Sequence, residues 1–329
     1  MKNCNFINNT AKGYGGAVSW QGSFGSVIDS TFTGNTAGNS GGGIDWGNFT
    51  NGTLTGSTFT GNTANDGGGL VWFGNNGIIS ATFINNTATV NGGGLLWKGA
   101  NGILIRSKFI GNTAKSNGGG VEWDGANGRL TSSNFTGNKA SIAGGVNWHG
   151  ANGILLNCIF IENIAELNGG GVDWFGINGT LKGSTFIRNT AKTNGGGGIL
   201  WSGAGENGRL SDSIFTNNFA YYGAGLYWNA QNGQLTNTIF TNNTANKQGG
   251  AIYWSLEAQI INCSFINSKW INNNSKSNGI YAKNLNIKNG NGIVDIVTSG
   301  TLFGASIVVL NNETYYYPPN SNINLIKYR

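Results

Sequence analysis

Proline is nearly missing from this chain of 329 residues, with 2 in all, and charge is scarce, with 19 Lys and Arg against 13 Asp and Glu. Histidine occurs once and cysteine three times. Each shortage excludes something. The net charge of +6 is scattered without a basic run, so the dense stripe that neutralises phosphates is missing and nucleic acid is not an expected partner. Purely aliphatic runs such as Ile307 to Leu310 fall far short of the ~20 residues that cross a bilayer as a helix, so no membrane span is expected. Glycine, by contrast, is abundant at 58 residues but does not recur at every third position, which excludes collagen and disfavours helices. With 11 Trp, 17 Phe and 10 Tyr, the chain has too much apolar surface to stay disordered.

What is present is a repeat. Phenylalanine returns at Phe6, Phe32, Phe59, Phe83, Phe109, Phe135, Phe160, Phe186, Phe215, Phe240 and Phe265, at spacings of 24 to 29 residues. Asn follows three residues later in all but the last copy, then commonly Thr-Ala, then a glycine cluster, an aliphatic residue, a variable residue and Trp. Asn-Gly and an aliphatic residue close the unit. Three extended segments separated by Gly and Asn-Gly turn signals predict one coil of three short strands per copy.

Period-2 alternation places Ile44 and Trp46 on one side of a strand and Asp45 on the other. The variable column containing Asp45, Val71, Glu122 and Asn147 is therefore read as solvent-facing. The residue two before each Phe shares its inward side and is always small, with Cys4, Cys158 and Cys263 standing where other copies have Ser, Ala or Thr. At ~4.8 Å per coil, Cys158 and Cys263 lie roughly 19 Å apart and Cys4 and Cys158 roughly 29 Å apart, so no intrachain disulfide is expected. Leucine-rich repeats need several Leu per unit, and calcium-binding nonapeptide repeats need a shorter period; neither matches.

The pairing of GGG-[VIL] with F-x-x-N over residues 3–268 resembles the repeat of chlamydial polymorphic outer-membrane proteins. Its Asn-Thr-Ala-rich form is similar to adhesin-like surface proteins of methanogenic archaea. Ser268 in place of Asn, and Ala17, Ala224 and Ala251 within glycine clusters, depart from the pattern. The resemblance implies an all-β, single-stranded, right-handed parallel β-helix of the pectin lyase-like kind, with about 10–11 coils of about 26 residues. It also implies an extracellular or cell-surface location and an adhesive role toward a surface protein or carbohydrate.

Residues 1–268 are read as the repeat domain and 269–329 as degenerate coils followed by a cap or a junction to a further domain. Met1 leads straight into Asn3-Cys4-Asn5-Phe6 of the repeat, so a signal sequence and further coils are expected upstream, in a longer polypeptide.

No catalytic residue, metal ligand or cofactor is assigned, and the chain is expected not to be an enzyme. One surface patch is singled out as a candidate ligand-binding site, for a sugar or a divalent ion: Glu122 and Asp124 on one coil, His149 beside Asn147 on the next and Asp173 on the third, with Glu122, Asp124, His149 and Asp173 as the binding residues. Adjacent coils bring Asp124 to His149, and Glu122 and Asp173 fall roughly 10 Å apart, near the upper limit for an inverting pair of carboxylates. That spacing keeps a polysaccharide lyase or glycoside hydrolase on the same fold as the alternative function. Phe73, Phe175, Tyr227 and Tyr253 are read as a second, aromatic contact surface.

Overall fold

The computed structural model describes residues 1–261 and, beyond them, only the strands Ser264–Ile266, Lys269–Trp270, Gly279–Lys288, Asp295–Val297, Ser306–Leu310 and Glu313–Tyr317, with side chains described through residue 255. Among the described residues there is no helix. The chain is a parallel β-solenoid. Each coil pairs in register with the next, Phe on Phe and Trp on Trp, as in Phe109↔Phe135 and Trp123↔Trp148.

A coil has four strands rather than the three expected. In one representative coil these are Val121–Trp123, Arg129–Thr131, Asn134–Thr136 and Lys139–Ile142. The fourth corresponds in most coils to the two-residue Thr-Ala segment, too short to betray a strand through alternation. It nevertheless forms a parallel sheet of 11 strands along one side of the tube. In two coils the second and third strands fuse, as Thr53–Thr60 and Ile78–Ile84.

The strands are short because single residues with positive φ break them. Asn127, Ser132, Gly137 and Ala143 turn successive corners, with φ of 57°, 51°, 63° and 57°. Asn and Gly reach this left-handed region at least cost, which is why the chain is so rich in both. The glycine triplets do more than turn. Gly118 sits at φ 62°, and a Cβ on Gly120 would come within 2.9 Å of the Phe135 ring. Removing the side chain there lets the aromatic column close up.

The interior consists of stacked columns. Trp46 through Trp254 are fully buried, with successive indole centroids 4.2–5.6 Å apart. Phe rings stack at 4.6–4.9 Å, and the Leu column from Leu104 to Leu181 is sealed from solvent. Most indole N–H groups remain satisfied because a glycine two residues on offers its carbonyl, as Gly125 does to Trp123 at 3.0 Å.

A buried Asn ladder runs beside the Phe column. Asn112 Nδ2 donates to Asn138 Oδ1 and to the Phe83 carbonyl, both at 2.9 Å, and its backbone N–H donates to Asn138 Oδ1 at 3.0 Å. This is the upward bonding of turn amides that the recurrent Asn demands. Cys4 and Cys158 are free thiols. Burial pushes the Cys158 thiol up to about 12, leaving it an inert core residue; Cys263 lies outside the described side chains.

Parallel pairing continues through Ile252–Ile261 with Gly279–Lys288, and Ser306–Leu310 pairs antiparallel with Glu313–Tyr317. The cap or junction expected within residues 269–329 lies outside the described residues.

Candidate functional site

The column between aliphatic residue and Trp is not the solvent-facing one anticipated. Asp45, Val71, Leu96, Glu122, Asn147, Asp173 and Leu200 are all buried, and Tyr227 and Tyr253 are half-buried, with only Ser19 exposed. Alternation assigns a residue to a side of the strand; it does not say whether that side is covered. Here the glycine turn leading into each strand folds back over it. A Cβ on Gly169 would lie 2.8 Å from the Asp173 Cβ, one on Gly67 would lie 2.4 Å from Val71, and Ser40 in the same covering segment hydrogen-bonds Asp45.

Glu122 and Asp173 are consequently buried, at 4% and 0% exposure, whereas Asp124 and His149 lie on the outside. The structure joins three of the four expected residues: Glu122, Asp124 and His149 offer ligand atoms within 4.8 Å of one another. Asp173 stands apart from that triad, separated from Glu122 by Asn147, which is in register with both.

Asn147, which the sequence reading placed beside His149 without counting it among the binding residues, connects the patch. Its Nδ2 lies 3.0 Å from Glu122 Oε2, 3.3 Å from Glu122 Oε1 and 3.0 Å from His149 Nε2. His149 Nε2 is 3.4 Å from Glu122 Oε1, and the imidazole stacks on Phe175 with centroids 4.7 Å apart. On the other side of the triad, Lys98 Nζ approaches Asp124 Oδ2 at 3.5 Å. The Asn147 Oδ1 and both Asp173 carboxylate oxygens are buried without a hydrogen-bond partner. Only the coil register, which lines Asn147 up between two acids, hinted at this role.

Burial, reinforced by the neighbouring carboxylate of Asp124, pushes the Glu122 carboxyl from its usual 4.5 up to about 8. Burial raises Asp173 well above the usual carboxylate range, and burial lowers His149 against the opposing pull of the Asp124 carboxylate. The folded state therefore binds these carboxyl protons more tightly than the unfolded chain. Glu122's contribution is complete below about pH 4.5, where both states are protonated, and is lost progressively up to about pH 8. Thermal melting at pH 5 and pH 8 is expected to show lower stability at pH 8, and Glu122→Gln is expected to flatten the dependence; a melting temperature that rises over this interval would contradict the assignment.

The aromatic surface is also less open than expected. Phe73 and Phe175 are half-buried, and Trp72 and Trp174 beside them are wholly interior. Tyr222, Tyr227 and Tyr253 form a cluster with centroid separations of 4.8–6.5 Å.

The fold defines a parallel β-solenoid whose unit carries F-x-x-N and a glycine triplet. Comparison with protein families matches the Chlamydia polymorphic membrane protein (Chlamydia_PMP) repeat at residues 3–19, 29–45, 80–96 and 237–253. The chain thus carries repeats of the polymorphic membrane protein type. No curated protein matches it. Among solved structures, the crystal structure of PfbA, a surface adhesin of Streptococcus pneumoniae, is similar over 96% of this chain and 85% of that one, with 12% identity and a TM-score of 0.34, too low for the likeness to bear on function.

Proposed function

We propose that the chain is a non-enzymatic segment of a cell-surface or secreted adhesin, binding a surface protein or a glycan through side chains displayed along its repetitive faces. The observation that carries this reading is the repeat: matched segments from residue 3 to residue 253 belong to a unit described from a membrane protein family. The same unit stacks in register from coil to coil, so ten coil intervals make a spacer of ~48 Å. The Asn-Thr-Ala-rich form of the unit, similar to that of adhesin-like proteins of methanogens, fits the same role.

One observation favours the alternative. A carboxyl raised to about 8, as in Glu122, is the protonated form that a general acid needs near neutral pH. Yet an inverting pair must reach a glycosidic bond from both faces, and Glu122 and Asp173 lie under the covering turn. An adhesive segment needs no such reach.

The test uses the purified full chain in two arms. Immobilised protein on glycan and cell-surface arrays is expected to show saturable retention, and incubation with pectic and other acidic or neutral polysaccharides is expected to release neither reducing ends nor unsaturated products. Turnover that disappears in Glu122→Gln would replace the adhesin reading with the enzymatic one.

A further inference from the structure

We propose that Glu122, Asp124 and His149, together with the side-chain amide of Asn147, form a site for one divalent first-row transition cation. The three titratable residues come from two adjacent coils, and their ligand atoms lie within 4.8 Å of one another. Bonds of ~2.0–2.2 Å to a tetrahedral cation place neighbouring ligand atoms ~3.3–3.6 Å apart. The observed 3.4 Å between His149 Nε2 and Glu122 Oε1 is such an edge. Asp124 and His149 are exposed, while Glu122 beneath them is buried.

A second observation comes from Asn147, a buried amide set against the cluster with one bare polar atom. This residue is 1% exposed, its Oδ1 has no hydrogen-bond partner, and its Nδ2 lies 3.0 Å from both Glu122 Oε2 and His149 Nε2. The next residue in the column, Asp173, is fully buried with both carboxylate oxygens bare. A half-turn of the Asn147 amide gives its bare oxygen a partner once a cation is present. It brings Oδ1 to the place now held by Nδ2, as a fourth oxygen or nitrogen donor facing the triad. With a cation bound, an oxygen donor in that position is the favoured arrangement.

The donor set selects the kind of ion. One imidazole nitrogen with carboxylate and amide oxygens suits zinc, manganese or a similar ion, whereas calcium and magnesium are held by oxygen alone. Lys98, 3.5 Å from Asp124, is the cation that occupies this corner otherwise, and it competes with the metal for the Asp124 carboxylate.

The experiment is calorimetric titration of the untagged full chain with zinc chloride, repeated with calcium chloride. His149 is the chain's one histidine, so an affinity tag would mask the result. One equivalent of zinc is expected to bind and to raise the melting temperature. His149→Ala and Asp124→Asn, both at exposed positions, are each expected to weaken binding at least ~10-fold. Lys98→Ala is expected to tighten it. Far-UV circular dichroism and melting of the metal-free variants separate loss of a ligand from loss of the fold. Absence of zinc binding by the folded wild-type chain would overturn the proposal, as would affinity unchanged in both ligand variants, or calcium binding that survives His149→Ala and exceeds that of zinc.

Discussion

Trp148→Ala is expected to cost about 3–5 kcal/mol, the range for deleting a large buried aromatic side chain. Trp148 is fully buried between Trp123 and Trp174, with centroids 4.6 Å and 4.8 Å away. Its loss removes contact with both neighbours at once and leaves the Gly150 carbonyl without the indole N–H that it accepts at 2.9 Å. Because each coil touches only the coils above and below, the damage concentrates at one boundary and weakens coupling along the stack. Denaturant titration followed in parallel by tryptophan fluorescence and far-UV circular dichroism is expected to show an earlier midpoint and transitions that no longer coincide. An unchanged midpoint would mean that the indole column is not what joins the coils.

Asn138→Ala is expected to be comparably damaging, at about 3–5 kcal/mol, although it removes hardly any apolar surface. The Asn138 amide donates to the Phe109 carbonyl and to Asn163 Oδ1, both at 2.9 Å. Its Oδ1 accepts from the backbone N–H and the Nδ2 of Asn112, at 3.0 Å and 2.9 Å. Truncation strands these groups inside the tube, where each unsatisfied one costs about 1–3 kcal/mol. Asn138→Asp keeps the acceptor but loses both donors and brings in a charge, so it is expected to fall below wild type as well. Thermal unfolding of both variants checks this. Stability of Asn138→Ala within 1 kcal/mol of wild type, the net worth of about one ordinary hydrogen bond, would show that the ladder is a consequence of the fold and not a support for it.

Periodicity made most of this architecture readable before any coordinates. A column of identical residues at one period has few placements other than a stack, so the Phe, Trp and Asn columns could be assigned residue by residue. What escaped was what lies outside a strand. Asp45, Glu122 and Asp173 were correctly placed opposite the core, but the turn through Gly169 and its equivalents covers them, and no alternation rule carries that information. The Thr-Ala strands escaped for another reason, since two residues such as Thr113–Ala114 contain no period to detect.

The candidate site divides along the same line. Coil spacing brought Asp124 and His149 together, as found. It also counted Asp173 as a surface partner, which the covering turn prevents. Asn147, lying in register between two acids, stood in the constellation but carries no charge and so was not counted as a binding residue, although its amide is what connects Glu122 to His149.

The most direct test of the stacked-coil account is a distance along the axis. Exposed corner residues Asn76 and Asn232 are joined by an unbroken chain of side-chain amide bonds through Asn101, Asn127, Asn152, Asn178 and Asn207. Those bonds span six coil intervals, or ~29 Å at ~4.8 Å each. Spin labels on Asn76→Cys and Asn232→Cys, in a chain whose native cysteines are serine, are expected to give one narrow pulsed electron–electron distance distribution centred near that value. A broad distribution, or a centre displaced by several coil spacings, would contradict the in-register solenoid and the display surface built on it.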